Sequence, residues 1–268
     1  MLIPLLLSLI PLIQDPPKPV PPDPEKVKAA VAQLTEALSK PEVGTRLRAI
    51  ESCAEIADAE VVRLIARGLS DKDSAVRGAA VEALRFNEHK KALDELHGRA
   101  KVKAAKEDVL GYAGLMRAIG QHGDPGSLEI LADNPWSIQD AGVLEARILG
   151  ISRIRTKEAV KALTDLMEMG GQGKVQPFMK DFRVAMWALT GADQGASRDL
   201  WLAWYRDNKA KLEVRPAPAT EPRELAQRWS RYWAKDGDEQ APPEKGKRRR
   251  GGDGPPPEKG KDPPTAGG

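Results

Sequence analysis

The chain has 268 residues and a net charge of +3, from 42 Lys and Arg against 39 Asp and Glu. That balance excludes a protein built around one strong electrostatic field, and a single Cys excludes an internal disulfide or a Cys-based zinc site. Aromatics at 4% argue against a sandwich or barrel of aromatic-rich strands.

The first element in chain order is the apolar run MLIPLLLSLIPLI, residues 1–13. It is shorter than the roughly 20 residues that span a bilayer as a helix. Pro4 and Pro11 also argue against a buried helix. The run matches the core of a secretory signal peptide, although no Lys or Arg precedes it and no A-x-A-like site follows. Export to the periplasm or cell envelope is the expectation, with the cytoplasm as the alternative. Residues 14–25 are Pro-rich and read as an extended linker. Between residues 26 and 215 only Pro41, Pro125, Pro135 and Pro177 remain, which suits long helices because an interior Pro costs about 3 kcal/mol.

That middle region repeats. At a shift of 31 residues Val31 falls on Val62, Leu34 on Ile65, Leu38 on Leu69, Arg46 on Arg77 and Ala49 on Ala80. The ladder continues to Leu93 and Leu96, to Leu128 and Leu131 after an insertion near 102–106, and to Val160 and Leu163. Apolar residues three apart share one helix face. In each unit a second apolar-periodic stretch follows a polar loop, as in SDKDS (70–74), where Asp73 or Ser74 is placed to cap a helix. No stretch alternates with period two, so the unit is a helical hairpin that buries its apolar faces by stacking on its neighbours.

The segment LSDKDSAVRGAAVEAL (69–84) resembles the HEAT repeat, in particular the bacterial variety called PBS-lyase-like. Its matching positions are Asp71, Val76, Arg77, Ala79, Ala80 and Ala83. The resemblance implies an all-α, right-handed solenoid of about six stacked hairpins spanning 26–190. It also implies pairing of loop Asp with helix Arg between units, here Asp71 with Arg46 or Arg77. The later units lack the Val-Arg pair. The segment ALTGADQGASRDLWLAWYRDNKAKL (188–212) is similar to one that closes the array in exported bacterial HEAT-repeat proteins, L-T-G-x-D-x-G followed by W-x-x-W. Residues 191–235 are therefore expected to form Trp-rich capping helices, with Gly191 ending a helix in the left-handed conformation. The tail 236–268 has 15 Gly or Pro in 33 residues and no large apolar side chain, so it is expected to stay disordered.

Motifs of known catalysis are missing: no H-E-x-x-H, G-x-S-x-G or C-x-x-C occurs. GGQGKV (170–175) departs from a phosphate loop and reads as an inter-helix loop. His89, His97 and His122 are spaced for structural or solvated roles, Asp193 for a turn, and Cys53 for apolar packing. No catalytic residue, cofactor or metal is therefore expected. Two groups are candidates for a binding surface: Lys101, Lys103 and Lys106 in the inserted loop, and Trp201, Trp204, Trp229 and Trp233, whose bland alternative is a small capping core. The KGKRRR run (245–250) in the tail is suited to anionic polymers. The reading that follows is an exported, non-enzymatic scaffold with a protein partner. Nucleic-acid binding is second, and requires the lysines to join Arg77 or Arg147 on one face. A bilin lyase, prompted by the repeat subtype's name, is a remote third.

Overall fold

The computed structural model describes residues 21–235, and all regular structure among them is helical. The apolar run 1–13, most of the Pro-rich linker and the tail 236–268 lie outside the described residues. None of the helices described is long and apolar enough to cross a membrane.

The helices alternate between two rows. The A row holds α1 (Pro24–Ala37), α3 (Ala59–Arg67), α5 (Lys91–Ala100), α8 (Leu128–Ala132), α10 (Lys157–Val175) and α12 (Arg198–Asn208). The B row holds α2 (Val43–Cys53), α4 (Ser74–Phe86), α7 (Val109–His122), α9 (Ala141–Ile151) and α11 (Met179–Thr190), each packed on the next. The short α6 (Lys103–Glu107) fills the insertion, and α13 (Arg223–Trp233) ends the described chain. The molecule is an all-α solenoid, with its core between the rows. The equivalent residues Leu34, Ile65, Leu96, Leu131 and Leu163 are all 0% exposed, one from each of five A helices.

Local chemistry sets the helix ends. Asp23, Asp58, Asp73, Asp108, Asp140, Thr156 and Ser197 each accept a hydrogen bond from a backbone N–H of the helix they precede. Pro24 opens α1 two residues inside the expected linker, because its fixed φ suits a first helical turn. Gly191 ends α11 at φ 75°. The glycine-rich 170–175 stretch departs from the expected loop. It continues α10 beyond a kink at Gly171, whose φ of 60° breaks the helical path.

Two Asp–Arg rungs tie adjacent hairpins. Arg46 donates to both carboxylate oxygens of Asp71, at 2.8 and 2.9 Å, and its third nitrogen donates to the carbonyls of Lys40 and Pro41. Arg77 repeats the arrangement one unit on, donating to Asp108 at 2.9 Å and to the carbonyls of Asp71 and Lys72. In the third unit Tyr112 stands at the equivalent place, four residues after the capping Asp108. There Arg147, from α9, reaches the carbonyls of Leu131 and Asp133 and the Tyr112 hydroxyl.

The C-terminal pair behaves differently from the hairpins before it. α12 stacks on α10 and closes the end of the A row. α13 packs on α11 and then runs back across the B row.

Candidate functional site

The side of the B row turned away from the A row divides into two strips. The first is covered by α13, which meets the C-terminal ends of α4, α7 and α9 and, on α11, both Asp181 in the first turn and Trp187 further along. Leu225, Trp229 and Trp233, at i, i+4 and i+8, are the buried side chains of α13. At the start of this path the Trp187 indole donates to the Glu221 carbonyl, and Arg228 pairs with Asp181. At its end Arg85 donates to the Trp233 and Ala234 carbonyls, Arg117 donates to Tyr232 and Ala234, and Lys235 reaches Glu55. The helix thus crosses from α11 to the α2 end of the molecule. Cations on the carbonyls of its last turn also complement the negative end of the helix dipole.

Glycines and arginines build the floor of this covered strip. Gly120 and Gly150 bring α7 and α9 into backbone contact: a Cβ on Gly120 would lie 2.5 Å from the Gly150 Cα. The same Cβ would lie 3.1 Å from Cη2 of Trp233, so the glycine seam is also the seat of that indole. Arg117, Arg153 and Arg155 lie under the rings of Tyr232, Trp233 and Trp229, at 5.2, 5.1 and 5.6 Å. Burial lowers the pKa of Arg155 to about 10, with repulsion from Arg153 adding to it. Burial also holds the Asp181 carboxyl up at about 6, against the pull of Arg228.

The second strip lies over α2, α4 and α7 and is an open groove of about 540 Å³. Its floor is apolar and small: Leu47 from α2, Ala75, Gly78 and Val81 from α4, Leu110 and Gly114 from α7. Leu110 is 85% exposed, and a Cβ on Gly78 would meet nothing within 4 Å. Glu51 and Glu82 line one side and continue into a smaller hollow with Glu55, Phe86 and Lys235. Arg117 and the Glu82–Arg85 pair form the border between the two strips.

The residues singled out from sequence fall elsewhere. Lys101, Lys103 and Lys106 are exposed, and Lys101 and Lys106 share a hollow with Glu129 and Asp133. They do not join Arg77, which is paired with Asp108, or Arg147, which is buried on backbone carbonyls. Trp201 is 0% exposed, with its indole donating to Gly195, and Trp204 packs edge-on against it. Trp229 and Trp233 are 6% exposed under α13. An open aromatic face is therefore absent at these positions among the described residues: Trp201 and Trp204 consolidate the α12 end, and the other two anchor α13.

The histidines and the loop carboxylate have structural partners. His97 bonds the Ser127 hydroxyl, His122 bonds the Leu84 carbonyl, and His89 accepts from the Lys91 N–H. Asp193 receives two bonds from Arg183 and one from the Gly195 N–H. Cys53 is buried, which pushes its thiol pKa up against a contact with the Ser52 hydroxyl at 3.8 Å.

Neither strip was among the sequence candidates. A signal for each is present, however. Gly78 and Gly114 sit at helix positions outside the apolar stripe, and Arg85 and Arg117 are cations in the C-terminal halves of adjacent B helices.

Residues 31–110 match the family model described as HEAT repeats. No curated protein matches the chain.

Proposed function

We propose that this HEAT-repeat protein is a non-catalytic scaffold in the exported space, holding a segment of a protein partner in the open groove on α2, α4 and α7. The observation that carries the reading is the groove itself. It is a solvent-open apolar floor of small residues on rigid helices, with Leu110 standing almost fully exposed at its rim. Small side chains at Ala75, Gly78 and Gly114 permit close approach of a partner backbone. The family is generally one of interaction scaffolds, and the apolar run at residues 1–13 supports the compartment. The favoured segment has aliphatic side chains for the floor and polar groups for a rim that carries both signs, Glu51 and Glu82 with Arg77, Arg99 and Arg117.

The test uses the full chain with a photo-crosslinking side chain at Val81. A protein captured there is expected to be lost when Gly78→Tyr fills the groove, a change with room around it. Equal capture by both chains would remove the groove from the mechanism.

A further inference from the structure

The fourth hairpin departs from the regular pattern of the repeats. Its A helix, α8, has five residues where α1, α3 and α5 have fourteen, nine and ten. The chain then turns through Asn134, at φ 40° the one residue other than glycine with positive φ among the described residues. A single 3₁₀ turn, Pro135–Ser137, follows and carries Trp136. The glycine-rich stretch of α10 is shaped to meet that ring. The helix breaks at Gly171, and a Cβ on the neighbouring Gly170 would run into the Trp136 indole, 2.7 Å from Cε2. A residue other than glycine held at positive φ is strained, and such strain gathers at ligand clamps and other sites.

These irregularities frame a cavity of about 370 Å³, within the range of small-molecule sites. Two of its lining residues, Trp136 and Phe178, pair edge-to-face with ring centroids 6.3 Å apart. Ile138 and Leu144 add aliphatic surface. Of the two charged side chains in the lining, Asp140 is committed to the fold, because it caps α9 by accepting from the Val143 N–H at 2.9 Å. Lys174 is exposed and in no ion pair among the described residues. The cavity thus combines rings that favour a further ring with a cation that lacks a carboxylate partner. It shares no lining residue with the open groove.

We infer that this cavity is a small-molecule site for an aromatic carboxylate of one or two rings. The rings seat against Trp136 and Phe178, and the carboxylate pairs with Lys174. The site is separate from the groove proposed for a protein segment, and a ligand binds here whether or not that groove is used.

The test uses the full chain with its indole nitrogens isotopically labelled, and naphthalene-2-carboxylate as the probe. Each Trp gives one indole resonance, and that of Trp136 is identified by its loss in Trp136→Phe. The probe is expected to shift this resonance saturably at about 1 mM or below, and to shift it more than those of the other Trp residues. Naphthalene-2-methanol, with the same rings and no charge, is expected to bind at least about threefold more weakly. Lys174→Gln, a change at an exposed position, is expected to weaken the carboxylate by a similar factor and to leave the alcohol unchanged. A Trp136 resonance that stays in place, or moves only in step with all the others, overturns the site. Equal affinity for the two probes, or equal affinity of parent and Lys174→Gln for the carboxylate, overturns the role of Lys174 and with it the ligand class.

Discussion

The two strips of the B face lie side by side on the same helices and use glycine in opposite ways. Under α13, Gly120 and Gly150 are pressed against each other and against Trp233, so the missing side chains let two helices and an indole meet. In the groove, Gly78 faces solvent, so its missing side chain leaves room for something outside the chain. The strips differ in charge as well. The covered one gathers Arg85, Arg117, Arg153 and Arg155 around one helix, whereas the open one has an apolar floor edged by both signs, Glu51, Glu82 and Asp108 with Arg77, Arg99 and Arg117. One surface is completed by the chain itself, and the other is open to solvent.

The comparison breaks most sharply at Gly120. Gly120→Val forces the α7–α9 seam apart and removes the seat of Trp233, with an expected loss of about 3 kcal/mol in urea unfolding. A loss under about 1 kcal/mol would mean that the seam is not tight.

A smaller effect separates the strips by pH. Burial holds Asp181, beneath α13, at about 6, above the unfolded value of about 3.9. The folded state therefore binds the extra proton between those values. The contribution of Asp181 is full below about pH 4 and is lost as pH rises through about 6. Asp71, Asp108 and Asp193 work in the opposite sense. The Arg46 hydrogen bond holds Asp71 down, the Arg183 hydrogen bond does so for Asp193, and for Asp108 Arg77 and the Gly111 N–H outweigh burial. Their stabilisation is present above about pH 4 and lost on further acidification. Asp181→Asn is expected to remove a decline on the order of 2 kcal/mol between pH 4 and 7. Unfolding midpoints that track the parent across that range would show that Asp181 stays ionised.

The smallest change is a gain. Gly78→Ala, in the open strip, is expected to stabilise the chain by about 0.5–1 kcal/mol, because it removes glycine entropy from a helix interior without a clash. A destabilised variant would mean that the groove floor is less open than its geometry shows.

Much of the solenoid is legible in the chain because its rules are local. The i, i+3 apolar pairs, the capping Asp residues and Gly191 each act within a turn or two, and the 31-residue register carries Arg46 onto Arg77. The second rung was not legible, because Asp108 lies beyond the insertion and outside the matched loop position.

The sequence by itself determined that the middle folds into hairpins, which apolar pair of the repeating helix is buried, and where single helices begin or end, as at Asp73 and Gly191. It also gave a last helix from about Pro222 to Ala234 with one Leu–Trp–Trp stripe, close to the observed Arg223–Trp233. Which surface that stripe meets was decided only by tertiary structure. Its seat is assembled from Arg85, Arg117, Gly120, Gly150, Arg153 and Asp181, residues on or just after four different helices that converge only once the B row has stacked. An amphipathic pattern specifies that a face must be covered, but not by what, because burial of apolar area is non-directional and the partner is chosen by long-range shape and charge.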